Sequence, residues 1–398
     1  FWYAPSPLLD ALSVQAQATF HRFGTQDVAN VAWASARLAL RDSSLWAGLA
    51  ATALSSVGQF ASQKISNTSW AFATYEWLDK PLMEAMAVVA VAKIADFSPQ
   101  DKANTVWAYA RLDLRDDTLL AAISAESIRK ISEYSRQHMS NIAWSFAKLK
   151  VCDRPLMALM FSQSLATIRT AEPQDISSTA WSMARLLDRD QTLLKALSAE
   201  AVRRMPEYRA QELTNLAWAF AIVSVRDEVL FDAIAPQAIS ELPSFLVMHL
   251  TNTFWAFATM AIRHEPLFRA ISGTCLKKMS AFYGQAISAT ALSCAKLGLA
   301  DEPLLHALSA QAVPTISACA PQNLANTIWA FAKLMVKDGA LLDAISSEAV
   351  LKVHDAIPQE LSSTAWAFAK LGVEKATMMH AIANAMVDKI TECDPQCF

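Results

Sequence analysis

The chain has 398 residues, 34 Lys+Arg against 37 Asp+Glu for a net charge of −3, 54% apolar residues and only 8 glycines. A balance this close to neutral, with an isoelectric point near 6.2, excludes polyanion binding through bulk basicity, so any such contact must rest on where the cations sit. Scarce glycine suits a nearly all-helical chain, and no apolar run approaches the roughly 18 residues of a membrane span, the longest candidate being 85–92.

In chain order, Pro7 to Leu12 align with Pro81 to Met86, so the sequence opens in the second half of a repeating unit. The repeat is then marked by Trp33, Trp70, Trp107, Trp144, Trp181, Trp218, Trp255, Trp329 and Trp366, spaced by 37 residues, with Leu292 filling the one gap of 74. A fixed period in this range identifies a helical repeat array. The expected layout is a half-repeat at 1–22, ten full repeats at about 23–392 and the start of an eleventh at 393–398, where Pro395-Gln396 matches Pro99-Gln100. Arrays normally finish in atypical capping repeats, which neither end shows, so the chain is expected to be one continuous array cut from a longer protein.

Each unit resolves into two helices. Helix A starts near Pro99-Gln100-Asp101, with proline at the first helical position and an acid in the first turn, and runs past the tryptophan to about Leu112. An aspartate nine residues after the tryptophan (Asp42, Asp79, Asp116, Asp153, Asp190, Asp227, Asp301, Asp338) stands where helix B needs an N-cap. The prediction is an all-α, right-handed α-solenoid of about 21 helices.

Helix A carries the candidate site. Its companions Ala, Phe and Leu suggest that the tryptophan turns inward as a packing residue, leaving an arc of roughly 100° for the glutamine seven before it, the asparagine three before it, the Ala or Ser one after it and the residue four after it. The last of these is Arg37, Arg111, Lys148, Arg185, Lys296, Lys333 and Lys370 in seven repeats and never acidic. With repeats stacked about 10 Å apart, the seven would form a comb for phosphates, or else pair with acids of neighbouring repeats as exposed charges usually do. Asparagine recurs at Asn30, Asn67, Asn104, Asn141, Asn215, Asn252 and Asn326. It is a poor helix former, so its persistence points to its amide, which would either grip a base edge or a peptide backbone or form a ladder from repeat to repeat. A second basic set (Arg41, Arg115, Arg189, Arg226, Arg263, Lys337) lies in the A-to-B turn and reads as local charge balance.

The six cysteines (Cys152, Cys275, Cys294, Cys319, Cys393, Cys397) show no paired CxxC spacing and read as reduced thiols. With scattered histidines and no HExxH, GxxxxGK or GxGxxG, neither a metal, a cofactor nor a catalytic residue is expected. The repeat from Ala289 lacks the asparagine, the tryptophan and the aromatic residue (Ala289, Leu292, Cys294), and weaker packing is expected there.

The runs at 321–334 and 358–371, of the type PQ-D/E-L-S/A-N-T-x-W-A-F-A-K-L, resemble the heptatricopeptide and octotricopeptide repeats, helical-hairpin families of organellar proteins. The resemblance covers almost the whole chain. It implies a non-enzymatic, sequence-guided binder of single-stranded or ribosomal RNA in mitochondria or chloroplasts, acting in RNA maturation, stability, translation or ribosome assembly. At one base per repeat, ten repeats would meet about ten nucleotides. The alternative is a protein-interaction scaffold, its asparagines holding an extended peptide or subunits of an organellar complex. Neither reading requires membrane insertion or a small-molecule substrate.

Overall fold

The computed structural model describes residues 7–389, so Cys393, Cys397 and the opening of the eleventh repeat lie outside the described residues. Among the described residues there are 21 α-helices and no strand. The chain divides into two compact units, 1–200 and 201–398.

In the first unit the A helices are α2 (Thr25–Arg37), α4 (Ser62–Tyr75), α6 (Pro99–Arg111), α8 (Arg136–Lys148) and α10 (Pro173–Arg185). They alternate with B helices α1 (Pro7–Thr19), α3 (Ser43–Ser55), α5 (Lys80–Ala92), α7 (Asp117–Arg129) and α9 (Arg154–Ala166). α11 (Gln191–Arg203) spans the division between the units. In the second unit the A helices are α12 (Ala210–Ile222), α14 (Val247–Thr259), α16 (Gly284–Leu297), α18 (Pro321–Lys333) and α20 (Pro358–Leu371). Their B partners are α13 (Glu228–Glu241), α15 (Glu265–Lys277), α17 (Glu302–Thr315), α19 (Gly339–Leu351) and α21 (Ala376–Asp388). Within each unit every A helix packs on the next A helix and every B helix on the next B helix, the stacking of an α-solenoid, and the A row is the more densely packed of the two.

Local chemistry sets these boundaries. At the start of α6, Ser98 Oγ accepts from the Asp101 amide while Asp101 Oδ2 accepts from the Ser98 amide, closing a reciprocal box around two donors that lack helical partners. The same third helical position caps other A helices: Asp27, Asp175, Glu212 and Glu360 each accept from the backbone N–H three residues earlier. In α14 the acceptor is Nδ1 of His249, whose pKa burial pushes down, favouring the neutral ring that capping needs. Each of the eight aspartates nine residues after the tryptophan position caps its B helix, as Asp153 does by accepting from the Leu156 amide at 3.1 Å. Asp153 also accepts from Ser124 Oγ of the preceding repeat at 2.5 Å, and Asp42 and Asp301 do likewise from Ser13 and Ser272. One carboxylate thus starts a helix and fastens two repeats.

The turn after each A helix holds a feature that only backbone angles disclose. The residue six after the tryptophan position adopts a left-handed conformation in all ten repeats, at Ala39, Glu76, Asp113, Lys150, Leu187, Ser224, Ala261, Gly298, Met335 and Gly372. Only two of the ten are glycine, and a side chain in that region costs roughly 1–2 kcal/mol. The Leu187 and Met335 side chains are exposed, so their removal forfeits little burial. Replacing either by glycine is expected to stabilise the array by about 0.5–1 kcal/mol after allowing for the looser unfolded chain. Thermal unfolding of Leu187→Gly and Met335→Gly checks this, and an unchanged or lower Tm contradicts it.

At the far end of nine of the eleven described B helices a 3₁₀ turn leads to an extended residue, and where that residue is Phe60, Phe97, Tyr134, Tyr208, Phe245 or Phe282 its aromatic side chain is buried. Their carbonyls are taken up by the next repeat. Lys93 Nζ donates to the Phe60 carbonyl at 2.8 Å, Lys278 donates to that of Phe245, and Lys352 donates to that of Cys319 at 2.6 Å.

The repeat from Ala289 packs unevenly: towards α14 its contact is among the less dense of the A row and a cavity lined by Phe254, Phe268, Cys294 and Leu304 opens there, whereas towards α18 it is close. α16 packs on α18 as closely as any two neighbouring A helices in either unit. Small residues allow the approach: a Cβ on Gly284 would stand 2.5 Å from Cys319 Sγ. Missing bulk is compensated by proximity, which preserves dispersion contacts.

Candidate functional site

The packing residue of helix A is not the tryptophan but the residue two after it. Phe72, Tyr109, Phe146, Met183, Phe220, Phe257, Cys294, Phe331 and Phe368 are all at most 3% exposed. The nine tryptophans of the motif are half-buried or exposed, and Trp33 and Trp366 reach 47% and 43% exposure. The expectation of inward-facing indoles is therefore wrong, and helix geometry explains why. At about 100° per residue the glutamine, the basic residue and the asparagine lie about 20°, 40° and 60° from the indole, whereas the aromatic two residues on lies about 200° away. The Ala or Ser directly after the tryptophan, expected on the open arc, is buried in nine of ten repeats. It leaves the arc and the indole joins it.

Neighbouring indoles touch. Trp70 and Trp107 have centroids 6.4 Å apart with planes at 26°, Trp144 and Trp181 are 5.9 Å apart at 31°, and Trp329 and Trp366 are 6.3 Å apart at 30°. Cations also lie over the rings: Arg37 is 5.7 Å from the centroid of Trp33 and Arg185 is 5.6 Å from that of Trp181. Where Leu292 interrupts the series, Lys296 reaches back to within 5.7 Å of the Trp255 ring and donates to Thr259 Oγ1. Desolvation there lowers the pKa of Lys296.

Six of the seven residues of the basic comb have no acidic partner among the described residues. The exception is Arg111, which pairs with Glu76 of the preceding repeat at 2.6 Å. Neutralisation by neighbouring acids thus describes one tooth, while Lys148, Arg185, Lys296, Lys333 and Lys370 present their charge beside indoles of the same arc. The basic residues of the A-to-B turn behave differently. Arg115 and Arg226 pair with Asp117 and Glu228 at 2.8 and 2.9 Å, and Arg263 donates to the Leu297 carbonyl. Local charge balance fits Arg115 and Arg226, whereas Arg263 holds a backbone carbonyl of the next repeat.

The asparagines are half-buried, Asn30 being exposed. Among the described residues no hydrogen bond joins one asparagine to the next, so the inter-repeat ladder does not form. Gln26 donates to Asn30 Oδ1 and Gln211 to Asn215 Oδ1, each at 2.8 Å. These bonds use the acceptor and leave the amide N–H groups of Asn30 and Asn215 with no protein acceptor among the described residues. The glutamine column, at nine of ten positions with Met248 the exception, is the group that the sequence motif undervalued.

Among the described residues no cluster of three or more His, Cys, Asp or Glu is placed to hold a metal ion, and no helix is long and apolar enough to cross a membrane. Cys152, Cys275, Cys294 and Cys319 are free thiols.

Comparison with known proteins adds one family. The model of the RNA-editing substrate-binding complex 6 protein matches residues 81–191 and 157–394. This is not the heptatricopeptide or octotricopeptide family of the sequence resemblance, and what the two share is a helical array tied to RNA. A search of curated proteins found no match. Among solved structures, a chain from a homology model of the full-length AP-3 complex in an intermediate open conformation is 10% identical over 97% of this chain and 81% of that one, with a TM-score of 0.31.

Proposed function

The chain belongs to the RNA-editing substrate-binding complex 6 protein family, and from that premise we propose that it is a non-catalytic binder of single-stranded RNA in a mitochondrial RNA-editing assembly. The observation that carries this reading is the basic column: seven cations on one face of the A helices, of which only Arg111 has an acidic partner among the described residues. Six cations left beside polar amides on one helical face, with Lys148 and Arg185 in adjacent repeats and Lys296, Lys333 and Lys370 in three consecutive ones, suit short runs of a phosphodiester backbone. The asparagine and glutamine amides on the same arc supply donors and acceptors for base edges. The family name speaks of RNA editing, so expectations of a chloroplast location or a role in ribosome assembly rest on the sequence resemblance alone.

A salt titration tests the proposal. Binding of the full chain to a 20-nucleotide single-stranded RNA is expected to weaken linearly in log K against log salt, with a slope of roughly −0.7 per phosphate neutralised, hence about −4 for six contacts. An affinity indifferent to salt would sink it. The second reading, a protein scaffold, draws on the word complex in the family name and on the exposed apolar residues Val88 and Leu351 of B helices. It predicts that cross-linking of the intact assembly recovers peptides and no nucleotides from the A-helix face.

A further inference from the structure

We infer that the tryptophans of the A helices form a stacking platform for the unpaired bases of that RNA. This rests on the RNA-binding reading above and names the part of the face that holds bases. Indoles are large apolar groups that folding ordinarily hides, and here nine of them recur in a partly exposed column beside the open arc of a helix whose packing is done by another column. The position does not require tryptophan for helix A to form and pack on its successor, because Leu292 occupies it in α16, which lies closely on α18.

The rings are held ready. In each of the three pairs one indole braces the other at 5.9–6.4 Å. That is less than the roughly 6.8 Å that twice the 3.4 Å base rise requires for a base between two rings. A base therefore does not enter a pair but stacks on an outer ring face, and Trp70 with Trp107 and Trp329 with Trp366 each act as one platform. Stacked bases are then fewer than repeats, which departs from one base per repeat. The nearby cations commit the platform to a polyanion: Arg185 lies against Trp181 and Lys296 against Trp255, so a phosphate meeting the cation brings its base to the ring. Leu292 makes a gap in the series within the second unit.

The test uses the full chain with 20-nucleotide oligoadenylate and oligouridylate, following tryptophan emission and affinity. Both RNAs are expected to quench emission, oligoadenylate more strongly because a purine stacks over a larger area. Trp107→Leu with Trp144→Leu, which breaks two pairs, is expected to lower affinity by about 5- to 150-fold per base stack lost while leaving the salt slope unchanged. Trp107→Phe with Trp144→Phe, close to leucine in volume but aromatic, is expected to retain most of the affinity. Leucine and phenylalanine variants that lose affinity equally would show a structural role and overturn the platform. So would a leucine variant that binds like the parent: salt-dependent RNA binding that ignores these tryptophans removes the stacking and leaves the cation reading standing. A parent chain that binds neither RNA and cross-links only peptide at Trp107 or Trp144 removes both.

Discussion

Changing Lys148, Arg185, Lys296 and Lys333 together to alanine is expected to weaken binding to single-stranded RNA by on the order of a hundredfold at 0.15 M salt and to flatten the salt slope by about 3. Both figures follow from a loss of about 0.7 in slope for each of four phosphate contacts. None of the four has an acidic partner among the described residues, so no buried or paired carboxylate is stranded by its removal. Arg111→Ala is the internal control. Its guanidinium already pairs with Glu76 at 2.6 Å, and removing it frees a carboxylate while taking away a charge that was largely spoken for. Its effect on the slope should be smaller than that of Lys148→Ala. Equal slopes for the parent and the fourfold variant, measured by fluorescence anisotropy across 50–300 mM salt, would refute the basic column as a phosphate track.

The second large effect separates the two aromatic columns of helix A. Phe331, 1% exposed between helices, is expected to cost about 3–5 kcal/mol when cut to alanine, as buried phenylalanines generally do. Trp329→Leu, two residues away, is expected to cost about 1 kcal/mol, because the indole is partly exposed and leucine keeps part of the apolar surface that it buries. Repeat arrays open in coupled segments, so the comparison is best made by hydrogen exchange of the α18 amides alongside global unfolding. A tryptophan change that destabilises α18 as much as the phenylalanine change would return the indole to the core and remove the stacking platform.

These two columns also mark how far the sequence was readable. The period, the helix pair and the cap positions were all legible, because each rests on a rule that local residues satisfy by themselves: proline and an acid at the start of α6, aspartate ahead of each B helix. The basic comb was legible for the same reason, as a column of one charge type. The tryptophan was misread because its neighbours in sequence are apolar. Neighbours along a helix point in different directions, and Phe331 and Trp329 stand about 200° apart. Angular position outranks composition, and the glutamine and asparagine columns, both near the indole on the wheel, were the signal that could have corrected it. Other features had no local signature. The left-handed turn residues are mostly not glycine, so nothing in their chemistry announces them. The lysines that end B helices carry no local mark of their carbonyl acceptors, which lie 33 residues earlier in the chain.

The unequal packing of the two helical rows has a mechanical consequence. Within each unit the A helices lie against one another densely, while successive B helices share less contact and are joined by isolated polar bonds such as Lys93 to the Phe60 carbonyl and Ser124 to Asp153. Dense apolar packing resists deformation, whereas single hydrogen bonds stretch or exchange with water at little cost. Bending of a unit is therefore expected to pivot on the A row, the B side opening and closing like the outer edge of a fan. Points on the pivot keep their separation while the rim moves. The indoles and cations sit on that pivot, so their spacing would stay nearly constant as the unit flexes, and a strand lying along them would be carried without being stretched.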